Sequence, residues 1–295
     1  MMTKYKVATL GGAAMLAFSA MPMSAQAVPY AYASNQITGL RLTLAGGGTI
    51  TPAGTAQQFA SDSASFGAAA VVNPTISNNI GTSLDIVQAS VGGNTAGQNV
   101  FTPVGPGGFG AGGARSDSLI GAGNALGGGV PVSNVAEAYG SAIGGSRGEN
   151  SAAVNFTVVG TGQAVQLSLT NLFQATSTTA SLTGETANAT ISNSFQVTGG
   201  SGATAVNDLF SPAAINFTIA SAAGTGNRTV GPTSVPVTLT SSVLASGVTY
   251  TIGLRSSAST DISPGTSTPI PEPMSLALLG VGLVSLGLIR RRKSV

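Results

Sequence analysis

The sequence predicts an all-β chain, an antiparallel β-sandwich-like body, on three observations. Short apolar runs alternate with polar residues at period two, as half-buried strands do. Gly, at 42 residues, and Pro, at 14, punctuate those runs, and no body segment carries an apolar helical stripe over three turns. Thr, Ser and Asn fill the alternate positions, as in sheets with one face in water.

Taken in order, "ITGLRLTL" places Leu40, Leu42 and Leu44 on one face together with Thr38. In "VNFTVV" Val154, Phe156 and Val158 oppose Asn155, Thr157 and Val159, and in "VQLSLT" Val165, Leu167 and Leu169 alternate with polar residues. "ATISNSFQV" aligns Ala189, Ile191, Phe195 and Val197, with Asn193 the odd member of an apolar face. "INFTI", "VPVTL" and "VTYTIGL" repeat the pattern at Ile215, Phe217 and Ile219, at Val235, Val237 and Leu239, and at Val248, Tyr250, Ile252 and Leu254. Pro236 lacks a ladder donor, which assigns its strand to a sheet edge. "AVNFTV" before "VQLSLT" echoes as "AINFTI" before "VPVTLT", a duplicated hairpin or two pairs of strands that share composition.

The expected organisation is a signal peptide at 1–27, a Gly-rich region with scattered strands at 28–150, a sandwich-like region at 151–262, and a linker with tail at 263–295. The stretch "GPGGFGAGGARSDSLIGAGNALGGGV" reads as a long mobile loop or a set of tight turns. It contains Gly105-x-Gly107-x-x-Gly110, but a dinucleotide fingerprint has meaning only between a strand and a helix, and no helical pattern follows.

Cys, His and Trp are lacking and only 7 % of residues are charged. That excludes thiol nucleophiles, imidazole bases and zinc sites of the usual ligand types, and no cofactor is expected. An exported domain without Cys must hold by packing and sheet bonds, whatever the redox conditions. The pI of 9.2 does not mark a nucleic-acid binder. Lys4, Lys6, Arg290, Arg291, Arg292 and Lys293 lie at the two ends, leaving five Arg against nine acids between them, 5 − 9 = −4. Asp117, Asp208 and Asp261 read as turn residues bonding their own backbone, no D-x-D run suggests calcium, and no enzyme activity is expected.

At the front, "MMTKYK", a following apolar run and "SAQA" form a secretory signal, with Ala25 and Ala27 as the small residues read by signal peptidase. The alternative is an uncleaved anchor. At the back, Pro271-Glu272-Pro273 precedes an uncharged segment from Met274 to Ile289, roughly 24 Å as a helix, and then Arg290, Arg291, Arg292 and Lys293. The positive-inside rule puts those four bases in the cytoplasm as a membrane stop and Glu272 outside. The prolines keep the tripeptide extended and out of the helix.

Ile270-Pro271-Glu272-Pro273, the Gly-rich apolar segment and the Arg cluster together resemble the PEP-CTERM sorting signal of Gram-negative bacteria. The resemblance covers about 25 residues of the 295. It implies recognition of Pro271, Glu272 and Pro273 by an exosortase-type membrane protease, passage through the inner membrane, and release to the cell surface or extracellular matrix. Ile270 stands where the family usually has Val. The expected role is a structural protein of the surface or matrix; the alternative is a carbohydrate- or surface-binding, adhesin-like module with extracellular polysaccharide as a partner, against which no Trp and only five Tyr are present for a flat sugar platform. An ordinary single-pass anchor remains the other reading of the tail.

Overall fold

Two antiparallel sheets, packed face to face, make up a computed structural model that describes residues 28–46, 48–53, 57–77, 83–122, 130–160, 162–179, 183–223 and 225–265. The strands are β1 (Tyr30–Leu44), β2 (Thr49–Pro52), β3 (Gln57–Phe66), β4 (Ala69–Ser77), β5 (Leu84–Asp85), β6 (Ala89–Gly92), β7 (Gly112–Ile120) and β8 (Val130–Gly140). They continue as β9 (Gly144–Val159), β10 (Gln163–Thr178), β11 (Thr186–Gly199), β12 (Val206–Phe210), β13 (Phe217–Ala222), β14 (Arg228–Leu244) and β15 (Thr249–Ser263). The all-β, two-sheet expectation holds.

The first sheet runs β14-β10-β1-β8-β7, with β5 and β6 end to end along the far side of β7. The second runs β11-β15-β9-β3-β4, with β12 and β13 sharing the outer side of β11 and β2 beside β3 along β9. Strands from before and after position 150 are interleaved: β1 lies between β10 and β8, and β9 itself runs through 150. The echoed segments fall on β9–β10 and β13–β14, two places where the chain passes from the second sheet to the first. Pro236 sits on edge strand β14, as expected.

The period-two reading fails at one point on β1. A bulge between Thr38 and Arg41, built on Gly39 at φ +65, inserts a residue, so Ile37 and Leu40 both face inward. Thr38 is therefore exposed rather than grouped with Leu40.

The interior is graded. Toward one end Phe156, Phe195, Tyr250, Phe173, Leu167 and Ile191 fill it, with Phe173 and Phe217 rings 4.9 Å apart. Toward the other, Ala31, Ala64, Ala89, Ala114, Ala138 and Ala187 meet around Val91 and Ile262. There the cross-strand pair Gly112 and Gly140, both at φ +137, leaves a hollow that the Phe66 ring enters; a Cβ at either would lie 2.6 Å from that ring. Alanine cores carry little hydropathic contrast with Ser and Gly, which is why β3, β4, β7 and β8 are faint in sequence.

The stretch from Gly105 read as a long mobile loop or a set of tight turns opens with a 3-10 turn and then forms strand β7, and residues 93–111 together make a packed cover. It lies on the face of the first sheet away from the second, where Arg115 and Glu137 are wholly buried and ion-paired at 2.9 Å. The guanidinium donates to Val100 O and Thr102 O, both at 2.8 Å. The carboxylate accepts from Tyr30 OH at 2.6 Å, Gly105 N at 2.9 Å and Val104 N at 3.3 Å. Desolvation and the Glu137 charge push the Tyr30 phenol well up. The loop's backbone polar groups thus replace water for a buried ion pair. The 3-10 turn Pro106–Phe109, flanked by Gly105 and Gly110, leads into strand β7.

Candidate functional site

Three polar features stand out against the apolar frame. The first lies between the sheets. Cross-strand registers align Asn35 with Asn134 in the first sheet and Asn193, Ser256 and Asn150 in the second. Asn35 Nδ2 donates to Asn193 Oδ1 at 2.6 Å and to Ser256 Oγ at 2.8 Å. Ser256 Oγ also accepts from Asn134 Nδ2 at 2.9 Å and donates to Asn193 Oδ1 at 3.0 Å, so its hydroxyl is saturated. Asn134 Oδ1 accepts from Asn150 Nδ2 at 2.9 Å. The belt continues to Asp62, whose Oδ1 accepts from Ser118 Oγ at 2.6 Å. Burial raises the Asp62 carboxyl to about 8, with the Ser118 hydrogen bonds opposing and Asp117 adding. Asn171, also inward on β10, has no partner for either amide atom among the described residues.

Asn193 occupies the gap on β11 between its partners β12 and β13, and Asn216 fills that gap as a false strand. The Asn216 side chain accepts from Asn193 N and donates to Asn193 O, while Asn193 Nδ2 reaches Ile215 O at 2.8 Å. An Asn on an otherwise apolar face was the one sequence signal for this belt.

The second feature is acidic. Asp117 lies on β7, not in a turn, and its Oδ2 accepts from Asn99 N; Asn99 is itself at φ 63. Burial raises the Asp117 carboxyl to about 6. Asp85 accepts from Gln98 Nε2 at 2.8 Å and Asn99 Nδ2 at 2.9 Å, so both acids shape the covering loop. Asp208 also departs from the turn expectation: on β12, it accepts from Ser242 N and Ser242 Oγ of edge strand β14, at 2.6 and 3.0 Å, and ties the two sheets together. Asp261 is on β15, exposed. Among the described residues no three ligating side chains gather as a metal site would require.

The third feature is a trough of ≈ 450 Å³ on the outer face of the second sheet. Its floor is the cross-strand row Gln196, Gly253, Ala153 and Gln57, over β11, β15, β9 and β3. The next row, Ser194, Arg255, Ser151, Phe59 and Ile76, forms one wall and reaches edge strand β4. Exposed Leu209 on β12 closes the end beside Gln196. Arg255 Nε contacts Glu149 Oε1 at 2.5 Å, and Arg147 contacts Glu149 Oε2 at 2.9 Å, with the two arginine side chains 62 % and 48 % exposed. Two cations thus share one carboxylate; Arg255 stands in the wall, whereas Arg147, two rows further along β9, lies in a neighbouring hollow that also holds Asp261.

Ala25, Ala27, Pro271, Glu272, Pro273, Arg290, Arg291, Arg292 and Lys293 all lie outside the described residues, as do the expected signal peptide and tail helix. Among the described residues no helix is long and apolar enough to cross a membrane. No family model, curated protein or solved structure matches this chain.

Proposed function

We propose that the protein is an exported, non-enzymatic structural component of the cell surface or extracellular matrix of a Gram-negative bacterium, delivered and processed through its tail. The observation that carries the proposal is the order Pro271-Glu272-Pro273, apolar run, Arg290 to Lys293, behind an Ala25-x-Ala27 signal. On this reading signal peptidase cuts after Ala27. The tail then holds the chain in the inner membrane until an exosortase-type protease acts near Pro273. Support for a structural rather than catalytic body comes from its acids. Of the eight ahead of Glu272, six are engaged within the fold: Asp62, Asp85, Asp117, Glu137, Glu149 and Asp208.

The deciding experiment is the mass of the C-terminal peptide of protein isolated from its host. A terminus near Pro273, with or without added mass, is the expected result. A terminus at Val295 in a membrane fraction overturns the sorting reading in favour of a plain anchor. A second reading, an adhesin-like binding module, is favoured by the trough over Gly253.

A further inference from the structure

Gly253 lies in the middle of β15, the central strand of the second sheet, where a β-branched or aromatic residue would stabilise the ladder and glycine weakens it. Glycine in a strand has three usual reasons: a positive φ, a bulge, or a close neighbour that leaves no room for Cβ. Gly253 has none of them. Its φ is not in the left-handed range, and its register with β11 and β9 is unbroken. A Cβ there would meet only Gln196 O, at 3.9 Å. Every other strand glycine among the described residues has either positive φ or a Cβ contact at 2.9 Å or less. Gly145, on the same face, is an instance: its Cβ would lie 2.7 Å from Thr260 O. What the missing side chain at 253 does is open the floor of the trough.

We propose that this trough is a binding site for one chain of an acidic, carboxylate-bearing polysaccharide, lying across the strands from Leu209 toward Ile76. Six strands at about 4.8 Å spacing give roughly 24 Å, the length of several sugar residues. The chemistry of the lining selects the class. Gln57, Gln196, Ser151 and Ser194 offer the mixed donors and acceptors that hydroxyls need, and Phe59 gives one apolar surface for a ring face. Arg255 is the one charged residue of the lining and is largely exposed; its partner Glu149 is shared with Arg147, which stands beyond the wall, so the trio carries one net positive charge beside the trough and attracts a carboxylate although the body as a whole is acidic. An extended peptide suits the site less well. The floor strands β11, β15 and β9 are paired on both sides over this row, which leaves no free backbone ladder for a peptide's N–H and C=O groups.

This inference deepens the binding reading and does not depend on how the tail is processed, so the terminus measured above and the affinity measured here fail separately. The test uses the full chain, titrated with polygalacturonate and with neutral dextran, at low and high salt. Expected are binding to polygalacturonate that weakens with salt, and little to dextran. Gly253→Gln places a side chain in open space and should weaken binding about tenfold or more with a melting temperature equal to or above that of the parent. Arg255→Gln should weaken it and flatten the salt dependence. Equal binding to dextran, no binding to polygalacturonate, or full affinity in a folded Gly253→Gln protein overturns the proposal. A peptide-library ligand displaced by Gly253→Gln would reassign the trough to a peptide and overturn it as well.

Discussion

Asn35 on β1 donates to the side-chain oxygen of Asn193 on β11 at 2.6 Å, and the two residues belong to opposite sheets. Apolar contacts between sheets tolerate small lateral shifts, whereas a hydrogen bond in a dry interior does not. The Asn belt therefore specifies how one sheet sits on the other, and it distinguishes two kinds of buried asparagine in this core.

Asn193→Leu removes the acceptor of Asn35 and Ser256 and the donor to Ile215 O, stranding those groups away from water. It should cost about 3 kcal/mol. Asn171→Leu, at an equally buried position whose amide has no partner among the described residues, should instead stabilise by about 1–2 kcal/mol. Denaturant unfolding of the two variants checks the sign; a loss at both positions would show that Asn171 is held after all.

Arg115→Met leaves the Glu137 carboxylate buried without its cation and frees Val100 O and Thr102 O. A loss of about 3 kcal/mol or more is expected, with faster amide exchange across residues 93–111. Arg115→Lys should not restore protection, since one ammonium cannot span the three acceptors that a planar guanidinium reaches.

Stability should fall as pH rises from about 4 to about 8. The Asp62 carboxyl is raised from 3.8 to about 8 in the fold, chiefly by burial. Between those values the native state holds a proton that the unfolded chain has released, so the unfolding free energy decreases with pH and levels off above the folded value. Asp117, raised to about 6, acts in the same sense over the lower part of the window. Asp62→Asn should flatten the decline between pH 6 and 8 in a melting-temperature series; an unchanged slope would mean that Asp62 does not carry the proton.

On the proposed sorting route, Glu272→Ala should leave export intact and block processing, so that the uncut chain accumulates in the inner membrane. Immunoblots of fractions read this directly, and normal processing of the variant would remove Glu272 from the recognised motif.

Where core residues are large, the strands are legible: β9, β10, β11, β14 and β15 all show their alternation in Val, Leu, Ile and Phe. Asn193 was visible as the odd residue on an apolar face, although its partners Asn35 and Ser256 lie 158 and 63 positions away and bear no local mark. Gly253 interrupts an alternating run without any turn around it, which is the sequence trace of the trough; its openness becomes evident only with Gln196 and Ala153 placed beside it.

By itself, then, the sequence determined the fold class and the lack of thiol and imidazole chemistry, because these follow from local periodicity and composition, and its two ends carry the residue order on which the sorting proposal rests. Tertiary structure decided which sheet each strand joins, that Arg115 and Glu137 clamp a Gly-rich cover, and that Arg255, Gly253 and Gln196 share one face. The physical reason is pairing: a strand's inward and outward faces are written in its own residues, but its neighbours are chosen by hydrogen bonds and packing between segments far apart in the chain.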